Sequence, residues 1–500
     1  MAADWARLRS LRCALLAGAI LLLAGCASGT AEAPPQAQTA WAPPPTPADW
    51  RSLAEQGPTA AANNALAPTV APQADQTYDL PALIDLAQRN NMATRVAWNQ
   101  ARQAASAVGL TEATFLPMIS ARAVAGRLKT RHELPRILGE RPEVDTSLSG
   151  TVPMLTLEWL LFDFGQRAAA NQAAHNLSLG ANFLFNAVHQ KLVFDVTRTY
   201  YEYGAARQGR QISEETLANS LAVQDAVLAK RKAGLATSVE EAQVRQLVAQ
   251  ARLRQVRSTG AERNAYQALL DHLGLAPGTV VRIAGSDTAP LPSSQELPEG
   301  AVLRRALAER PDIMASIASL KAAESGVDMA RADFLPKVFL AGFLVGGHND
   351  LSIGPVSGLS NNAVTRGVLL GVSLPLYDGG MHSSRLRDAH DRVHAAQASL
   401  ERLRNTAMTE IILASNTLET ALQAHEAAET LVQTATVTYD AALDAYRVGM
   451  GTVTVATEAA NGLLTARTAR ADARAAAQIA AATLALSLGR LDAAPAGSVR

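Results

Sequence analysis

Cysteine is nearly absent from this chain of 500 residues, and its two cysteines, Cys13 and Cys26, both lie in the first 26 positions. Disulfide frameworks and thiolate metal sites are therefore excluded from the rest of the chain. Aromatic residues are also scarce, at 4% of the sequence, whereas apolar residues as a group reach 48%. This composition, in which alanine dominates the apolar set, is typical of long helices that pack closely.

Net charge is absent as well, because 45 Lys and Arg residues balance 45 Asp and Glu residues. Such a chain has no overall field that attracts nucleic acid or an acidic partner. It contains no P-loop and no Gly-x-Ser-x-Gly motif. His390 and His394 have the spacing of metal ligands, but the glutamate of a zinc protease is missing between them, which favours a polar helix face. We expect no enzyme, no metal and no cofactor apart from a covalent lipid.

The N-terminus has the organisation of a bacterial lipoprotein signal peptide, which we place at residues 1–25. Basic residues precede an apolar run of 11 residues, Ala14 to Ala24, which is too short to span a bilayer as a helix. The run ends in Leu-Ala-Gly-Cys, the lipobox pattern, in which the thiol of Cys26 carries the lipid. Ala27, in place of aspartate, favours the outer membrane. The alternative is an ordinary secretory signal followed by a chance cysteine.

Three motifs occur twice, in the same order. The two copies of the first motif lie 219 positions apart, and those of the second and third motifs lie 215 positions apart. Duplicated units at so long a period predict two similar halves packed side by side. The motifs are Phe-Leu-Pro (115–117 and 334–336), an aromatic-Asp-x-Gly corner (162–165 and 377–380) and a turn glycine (Gly234 and Gly449).

The duplication divides the chain into segments. Proline, glycine and serine content marks the tether and the linker between the halves. The segments are a signal peptide (1–25), a lipid-anchored Pro-rich tether (26–77), a first repeat (78–285), a linker (286–300), a second repeat (301–490) and a tail (491–500).

Each half holds two stretches in which apolar and polar residues alternate with the period of a β-strand. Strands of this length can cross a membrane when tilted. The alternative is a soluble antiparallel sheet, which the outer-membrane signal and the long polar loops at one end disfavour. The strands are predicted at about 117–127, 151–162, 337–347 and 364–377, with polar loops at 128–150 and 348–363.

A very long helix is predicted after each corner. The first, at 166–232, runs for 67 residues without a proline and would extend roughly 100 Å. Apolar residues at spacings of three and four predict packing against neighbouring helices. A glycine ends each long helix in a left-handed turn, and return helices follow at 239–273 and 455–488.

One copy of the chain supplies four predicted membrane strands, too few to close a barrel. An open sheet would leave unpaired N–H and C=O groups in lipid, each at a cost of several kcal/mol. The strands must therefore close with strands of other copies. Two copies are the minimum, whereas three give twelve strands and a lumen wide enough for water.

These features resemble the TolC family of outer-membrane efflux channels, in its lipoprotein branch. The resemblance covers Tyr78 to Gly489 and rests on the duplicated motifs together with Tyr-Arg-Val-Gly at 446–449. It implies a mainly α fold with a transmembrane β part: a homotrimeric, twelve-stranded β-barrel in outer-membrane lipid, continued by a long α-helical coiled-coil barrel in the periplasm. The implied partners are a periplasmic adaptor and an inner-membrane pump. The pump is expected to be of the resistance-nodulation-division type, because the resemblance is to lipidated members.

The resemblance also implies a periplasmic gate with acidic residues six and nine positions after each turn glycine. Glu240 and Glu458 occupy two of these positions and are the gate candidates. Gln243 and Val455 occupy the other two, so the pattern carries over only partly. The alternative is that both glutamates lie in solvated first turns, where acids suit the helix dipole.

The two glycine turns resemble the adaptor-docking tips of the family. Exposed turns at the ends of two hairpins offer backbone and small side chains to a partner, and plain helical turns are the alternative. The implied docking residues are Gly234, Leu235, Thr237, Arg447, Val448, Gly449 and Thr452.

The leading hypothesis is a passive export channel for small molecules, energised by its partners because the chain has no ATP site. A type I protein-secretion channel, served by an ABC transporter, is the alternative within the same class. A non-channel coiled-coil lipoprotein of the envelope is the alternative outside it, although a scaffold has no need of four membrane-length strands.

Overall fold

The computed structural model describes residues 38, 71–73, 75–133, 143–285, 290–291, 307–353 and 356–491. The predicted signal peptide, Cys26 and most of the predicted tether lie outside these residues. Most of the predicted linker at 286–300 and nearly all of the tail lie outside them too. Within the described part, no helix combines the length and the apolar character needed to cross a membrane.

Long helices make up most of the described chain. They are α1 (Leu80–Asn90), α2 (Met92–Ala113), α3 (Gln166–Lys232), α4 (Ser238–His272), α5 (Pro311–Ala332), α6 (Met381–Arg447) and α7 (Val453–Ser487). Helices α2 and α5 each have 22 residues, α3 and α6 each have 67, and α4 and α7 each have 35. These equal lengths show the internal duplication that the motifs predicted, and α3 has the predicted bounds.

The strands form one large sheet and one short pair. They are β1 (Thr77–Tyr78), β2 (Met118–Glu133), β3 (Glu143–Phe162), β4 (Arg282–Ile283), β5 (Lys337–Ile353) and β6 (Val356–Ser373). Strands β1 and β4 pair in parallel, whereas β2, β3, β5 and β6 form an antiparallel sheet in that order. Strands β2 and β6 are therefore the edges of the sheet.

The four strands of the sheet are longer than predicted, at 16, 20, 17 and 18 residues. Both predicted loops, 128–150 and 348–363, are mostly strand, and β6 ends at Ser373 rather than at 377. These predictions were wrong because an antiparallel ladder is built from backbone groups. Polar and glycine residues extend it once the neighbouring strand is in register.

The four helices that adjoin the sheet all do so at the same end. Helices α2 and α5 precede β2 and β5, which run away from that end, whereas α3 and α6 follow β3 and β6, which return to it. The sheet therefore forms one end of an elongated molecule, and the helices extend from it on one side only.

The two corners that lead from the sheet into α3 and α6 share one geometry. Gly165 and Gly380 cap the two helices with φ of +94° and +92°, a conformation that favours glycine. Asp378 accepts N–H bonds from His382 at 2.6 Å and Gly380 at 2.9 Å, and Asp163 accepts the equivalent pair. The bonds from His382 and Gly380 lower the pKa of Asp378 to about 2.

The core is a series of apolar clusters along the helices rather than a single centre. One cluster joins α1, α3 and α4 around Leu83, Val196 and Leu269. Another joins α6 and α7 around Ile411 and Leu484. A further cluster lies where the two hairpins, α3–α4 and α6–α7, reach their turns. Packing of this kind leaves each hairpin turn exposed at the far end of the molecule.

Candidate functional site

The first hairpin turns between α3 and α4 in a Schellman motif. The N–H of Leu235 donates to the carbonyl of Lys230 at 2.8 Å. The N–H of Gly234 donates to Arg231 at 2.9 Å. Gly234 has φ +76°, the left-handed conformation in which glycine ends a helix, as predicted.

The second hairpin repeats this turn between α6 and α7. The N–H of Met450 donates to the carbonyl of Ala445 at 2.9 Å, and Gly449 has φ +86°. Thr237 and Thr452 cap the return helices, each accepting a backbone N–H from the residue three positions on. The two turns are thus structural copies, as the duplicated glycines predicted.

The predicted docking residues lie at these turns, and several of their neighbours are exposed and apolar. Leu235 is 76% exposed and Val448 is 68% exposed. Met450, which the sequence analysis did not single out, is 85% exposed. Arg447 forms an exposed ion pair with Asp444 at 3.3 Å. Apolar side chains so open to solvent are typical of an interaction surface, although docking itself stays a prediction.

Glu240, the first gate candidate, takes part in a capping box. Its carboxylate accepts from the backbone N–H of Thr237 at 2.7 Å and from the Thr237 hydroxyl at 3.0 Å. In return, Thr237 Oγ1 accepts from the N–H of Glu240 at 3.2 Å. This geometry supports the alternative of a helix-capping role within one copy of the chain.

Glu458, the second gate candidate, is exposed on the second turn of α7. Val455 occupies the position that Glu240 has in the first hairpin and offers no carboxylate to the cap residue Thr452. The two candidates therefore differ in environment, and a gate at either of them stays a prediction.

Sequence reasoning missed the role of Glu241. This side chain is only 6% exposed and pairs with Arg231 on α3 and with Arg245 one turn further along α4. Its i,i+4 spacing from Arg245 was the available signal. The second hairpin has Tyr446 and Ala456 at the positions of Arg231 and Glu241, so its turn is held by apolar packing instead.

A lysine joins the two hairpins at their tips. Lys230 Nζ donates to the backbone carbonyl of Tyr446 at 2.9 Å and lies 4.2 Å from the centroid of the Tyr446 ring. Tyr446 is 4% exposed and packs with Val227, Val244 and Val453. Its burial raises the pKa of its hydroxyl, and the charge of nearby Glu240 adds to that rise. The two turns therefore form one unit within a copy of the chain.

Aromatic side chains form a collar at the junction of the sheet and the helices, far from the hairpin turns. Trp159 Nε1 donates to the carbonyl of Phe115 at 2.9 Å. Exposed aromatic side chains at one level of a β-structure are typical of a membrane–water interface. The other exposed members of the collar are Phe162, Phe164, Phe334 and Tyr377.

The two faces of the sheet differ next to this collar. We call one of them the apolar face. On β6 it spans nine residues, Val364 to Val372, or about 20 Å along a tilted strand, close to the apolar band of membrane barrels, and it includes one charged residue, Arg366. The opposite face is mixed: it carries Ser120 and Thr156, whose hydroxyls lie 2.7 Å apart, together with apolar side chains such as Met154, Phe339 and Leu369. The apolar face is defined by Ile119, Ala121, Ala123, Pro153, Leu155, Leu157, Trp159, Leu340, Leu344, Val364, Val368, Leu370 and Val372.

A family model described as outer membrane efflux protein matches residues 83–275 and 302–490, the two halves of the fold. The chain belongs to this family. Protein CyaE of Bordetella pertussis is 32% identical over 71% of this chain and 73% of its own length. Outer membrane protein OprJ of Pseudomonas aeruginosa is 28% identical over 68% of this chain and 70% of its own length.

Solved structures show the same fold. The outer membrane channel CmeC of Campylobacter jejuni superposes with a TM-score of 0.68 at 21% identity, covering 82% of this chain and 85% of that one. This member of the outer membrane efflux protein family thus has the mainly α channel fold with its β part. In the described residues, no cluster of three or more His, Cys, Asp and Glu side chains could hold a metal ion. His390 and His394 are both exposed on α6.

Proposed function

We propose that this protein is the outer-membrane channel of a tripartite efflux system, a passive and non-enzymatic conduit that exports small molecules. One observation carries the proposal: a four-stranded sheet with two unpaired edges and long apolar stretches in its strands. In lipid, each unpaired backbone group of β2 or β6 costs several kcal/mol. Pairing β6 of one copy with β2 of the next removes that cost, and three copies close twelve strands around a water-filled lumen.

The helices then continue the channel away from the membrane. Helices α2, α3, α5 and α6 adjoin the sheet at one end, and α3 and α6, with 67 residues each, extend roughly 100 Å. We place this part in the periplasm, with the hairpin tips at its far end. The lipid on Cys26 anchors the chain to the outer membrane beside the barrel.

The proposed partners follow from this arrangement. A periplasmic adaptor protein contacts the tips, where Leu235, Val448 and Met450 are exposed. An inner-membrane pump, of the resistance-nodulation-division type, supplies the energy. Glu240 and Glu458 narrow the closed end of the tube and favour cations there. Nucleic acid has no part in this function.

Native mass spectrometry of the detergent-extracted mature protein tests the proposal. We expect a trimer in which each chain begins at an acylated Cys26. A stable monomer would overturn the barrel, because its sheet would keep two open edges. In the Cys26→Ser variant we expect the acyl mass to disappear, and an acylated species in that variant would contradict the lipobox assignment.

A transport assay distinguishes small-molecule efflux from protein secretion through the same kind of channel. A deletion strain should become more sensitive to small toxic compounds and regain resistance when the gene is restored. Unchanged sensitivity together with loss of a secreted protein would favour the type I secretion alternative.

A further inference from the structure

The face of the sheet opposite the apolar face, which we call the mixed face, carries two charged side chains in the half nearer the helices. Glu158 on β3 is exposed and lies directly opposite Met118, the first residue of β2. Arg122 is also exposed and lies four residues further along β2, about 13 Å along the strand. Among the described residues, neither side chain has an ion-pair partner.

Only one other Lys, Arg, Asp or Glu lies on the mixed face of the described strands. It is Lys337, the first residue of β5, whose Nζ lies 3.4 Å from a carboxylate oxygen of Asp333 on α5. Because Lys337 is held by this carboxylate, Glu158 and Arg122 are the two charges of the mixed face that no side chain of the described chain neutralises.

The mixed face suits the water-filled side of the proposed barrel better than the lipid side. Over the nine residues of the apolar band on β6, the apolar face carries a single charge, Arg366. The mixed face carries both Glu158 and Arg122. It also carries the hydroxyls of Ser120 and Thr156, which lie 2.7 Å apart. Charged side chains on the lipid face of a membrane strand are destabilising, so the face with more charged and hydroxyl groups faces the lumen.

Glycines on the mixed face leave room beside these charges. The ring of Phe339 lies against Gly371, and the ring of Phe343 lies against Gly367, on the neighbouring strand. Ring atoms fill the space that a Cβ would occupy at each glycine. The two large side chains therefore lie across β6, an arrangement that relieves crowding on the inner side of a curved sheet.

We propose that Glu158 and Arg122 form two charged rings of opposite sign in the lumen of the β part, and that these rings set its ion preference. The inference rests on the proposed trimer, because threefold symmetry places the three copies of each residue at one level of the barrel. Twelve strands about 4.8 Å apart and tilted about 40° give a backbone radius of about 12 Å. A side chain that extends about 5 Å inwards brings its charge to about 7 Å from the axis, within the Debye length of about 8 Å at physiological ionic strength.

The two rings have opposite effects on an ion in transit. Three unit charges about 7 Å from the axis change the concentration of a monovalent ion there about threefold after screening. Along a tilted strand, 13 Å corresponds to about 10 Å of the barrel axis, so each ring acts mainly at its own level. The Glu158 ring favours cations and the Arg122 ring favours anions, so the intact pair gives the β part little net preference.

Reversal potentials of purified trimers in planar bilayers, under a KCl gradient of low ionic strength, test the rings. Arg122→Gln should raise the ratio of K⁺ to Cl⁻ permeability about three- to tenfold, and Glu158→Gln should lower it by a similar factor. The double variant should return towards the wild-type ratio. In about 1 M KCl, where the Debye length is about 3 Å, both changes should disappear. The matched control is Arg366→Gln, on the apolar face, which should leave the ratio unchanged.

Cysteine labelling tests the orientation of the sheet separately from its charges. The chain has no cysteine after Cys26, so an introduced thiol in a strand is a specific target. Glu158→Cys should react with a positively charged methanethiosulfonate added at the outer side, and its conductance should change. Leu157→Cys, one residue away on the apolar face, should be shielded by lipid and keep its conductance. The wild type treated with the same reagent is the control for Cys26.

Three results would overturn the charged rings. They are unchanged permeability ratios in both single variants, changes of the same sign in both, and reaction of Leu157→Cys without reaction of Glu158→Cys. A shift in the Arg366→Gln control as large as that of Arg122→Gln would also overturn them, because it would place the apolar face in the lumen. Monomers in native mass spectra of the same preparations would instead overturn the proposed trimer, so the two failures are distinguishable.

Discussion

Lys230→Met tests whether the hairpin tips separate when the proposed channel opens. Lys230 Nζ is 2.9 Å from the carbonyl oxygen of Tyr446 and 4.2 Å from the centroid of its ring. Methionine keeps most of the aliphatic stem and removes the charge and the donor. The substitution therefore removes the link between the two turns and retains their packing.

The magnitude follows from these two contacts. A hydrogen bond with a charged donor contributes about 1.5–3 kcal/mol, and a cation–π contact at an exposed site about 0.5–1 kcal/mol. Lys230 is half-buried, so solvent screening reduces both contributions, and about 1–2 kcal/mol is a reasonable total. If both contacts are lost on opening, the ratio of open to closed channels should rise about five- to thirtyfold.

The assay is single-channel recording of purified trimers in planar bilayers, with the resting open probability as the measurement. Lys232→Met is the matched control, because Lys232 is exposed two residues further along α3. An unchanged open probability in Lys230→Met would refute the idea that the tips move apart. An equal rise in the control would assign the effect to the general charge of the turn.

Three further predictions concern the gate, the fold and the corner. Replacing Glu240 and Glu458 with Ala should raise resting conductance and weaken cation preference, and unchanged bilayer currents would remove both from the gate. Gly274→Ala should destabilise the protein by several kcal/mol, because its φ is +68° and the new Cβ would meet the Asn90 carbonyl oxygen at 2.7 Å. Gly278→Ala, with φ +85° and no atom within 4 Å, should cost only about 1–2 kcal/mol in thermal unfolding, and equal losses would contradict the clash. The folded-state pKa of Asp378, about 2, lies below its ordinary 3.8, so its contribution to stability should be present above pH 3.8 and lost as the pH falls towards 2. The stability difference between wild type and Asp378→Asn should therefore decrease as the pH falls from 3.8 through 2, and a constant difference would refute the assignment.

The sequence predicts the helical part well because its determinants are local. The absence of proline from 166–232 permits an unbroken helix, and Gly234 and Gly449 supply the left-handed turn that ends each long helix. Because the two halves repeat the same order of motifs, each helix boundary is indicated twice in the sequence. The caps at Thr237 and Thr452 are also local features, because a cap depends on residues three positions apart.

The strand ends were not predictable in this way. Lys129, Arg131 and their polar neighbours look like a loop, yet they pair with β3 through their backbones over the full length of β2. The link between Lys230 and Tyr446, 216 positions apart, was equally hidden, because no local pattern relates the two residues. Both features arise only when distant segments are placed side by side.

The sequence by itself therefore determined the two-fold repeat, the long helices, their glycine turns and the family, since each depends on residue type at short range or on a repeated order. The tertiary structure alone decided which side chains from distant parts of the chain contact each other. It buried Glu241 beside Arg231 and Arg245 in the first hairpin. In the second hairpin it buried Tyr446 among apolar side chains. It also placed Leu155 of the first half opposite Leu344 of the second, because strand register, and not sequence distance, determines which side chains share a face.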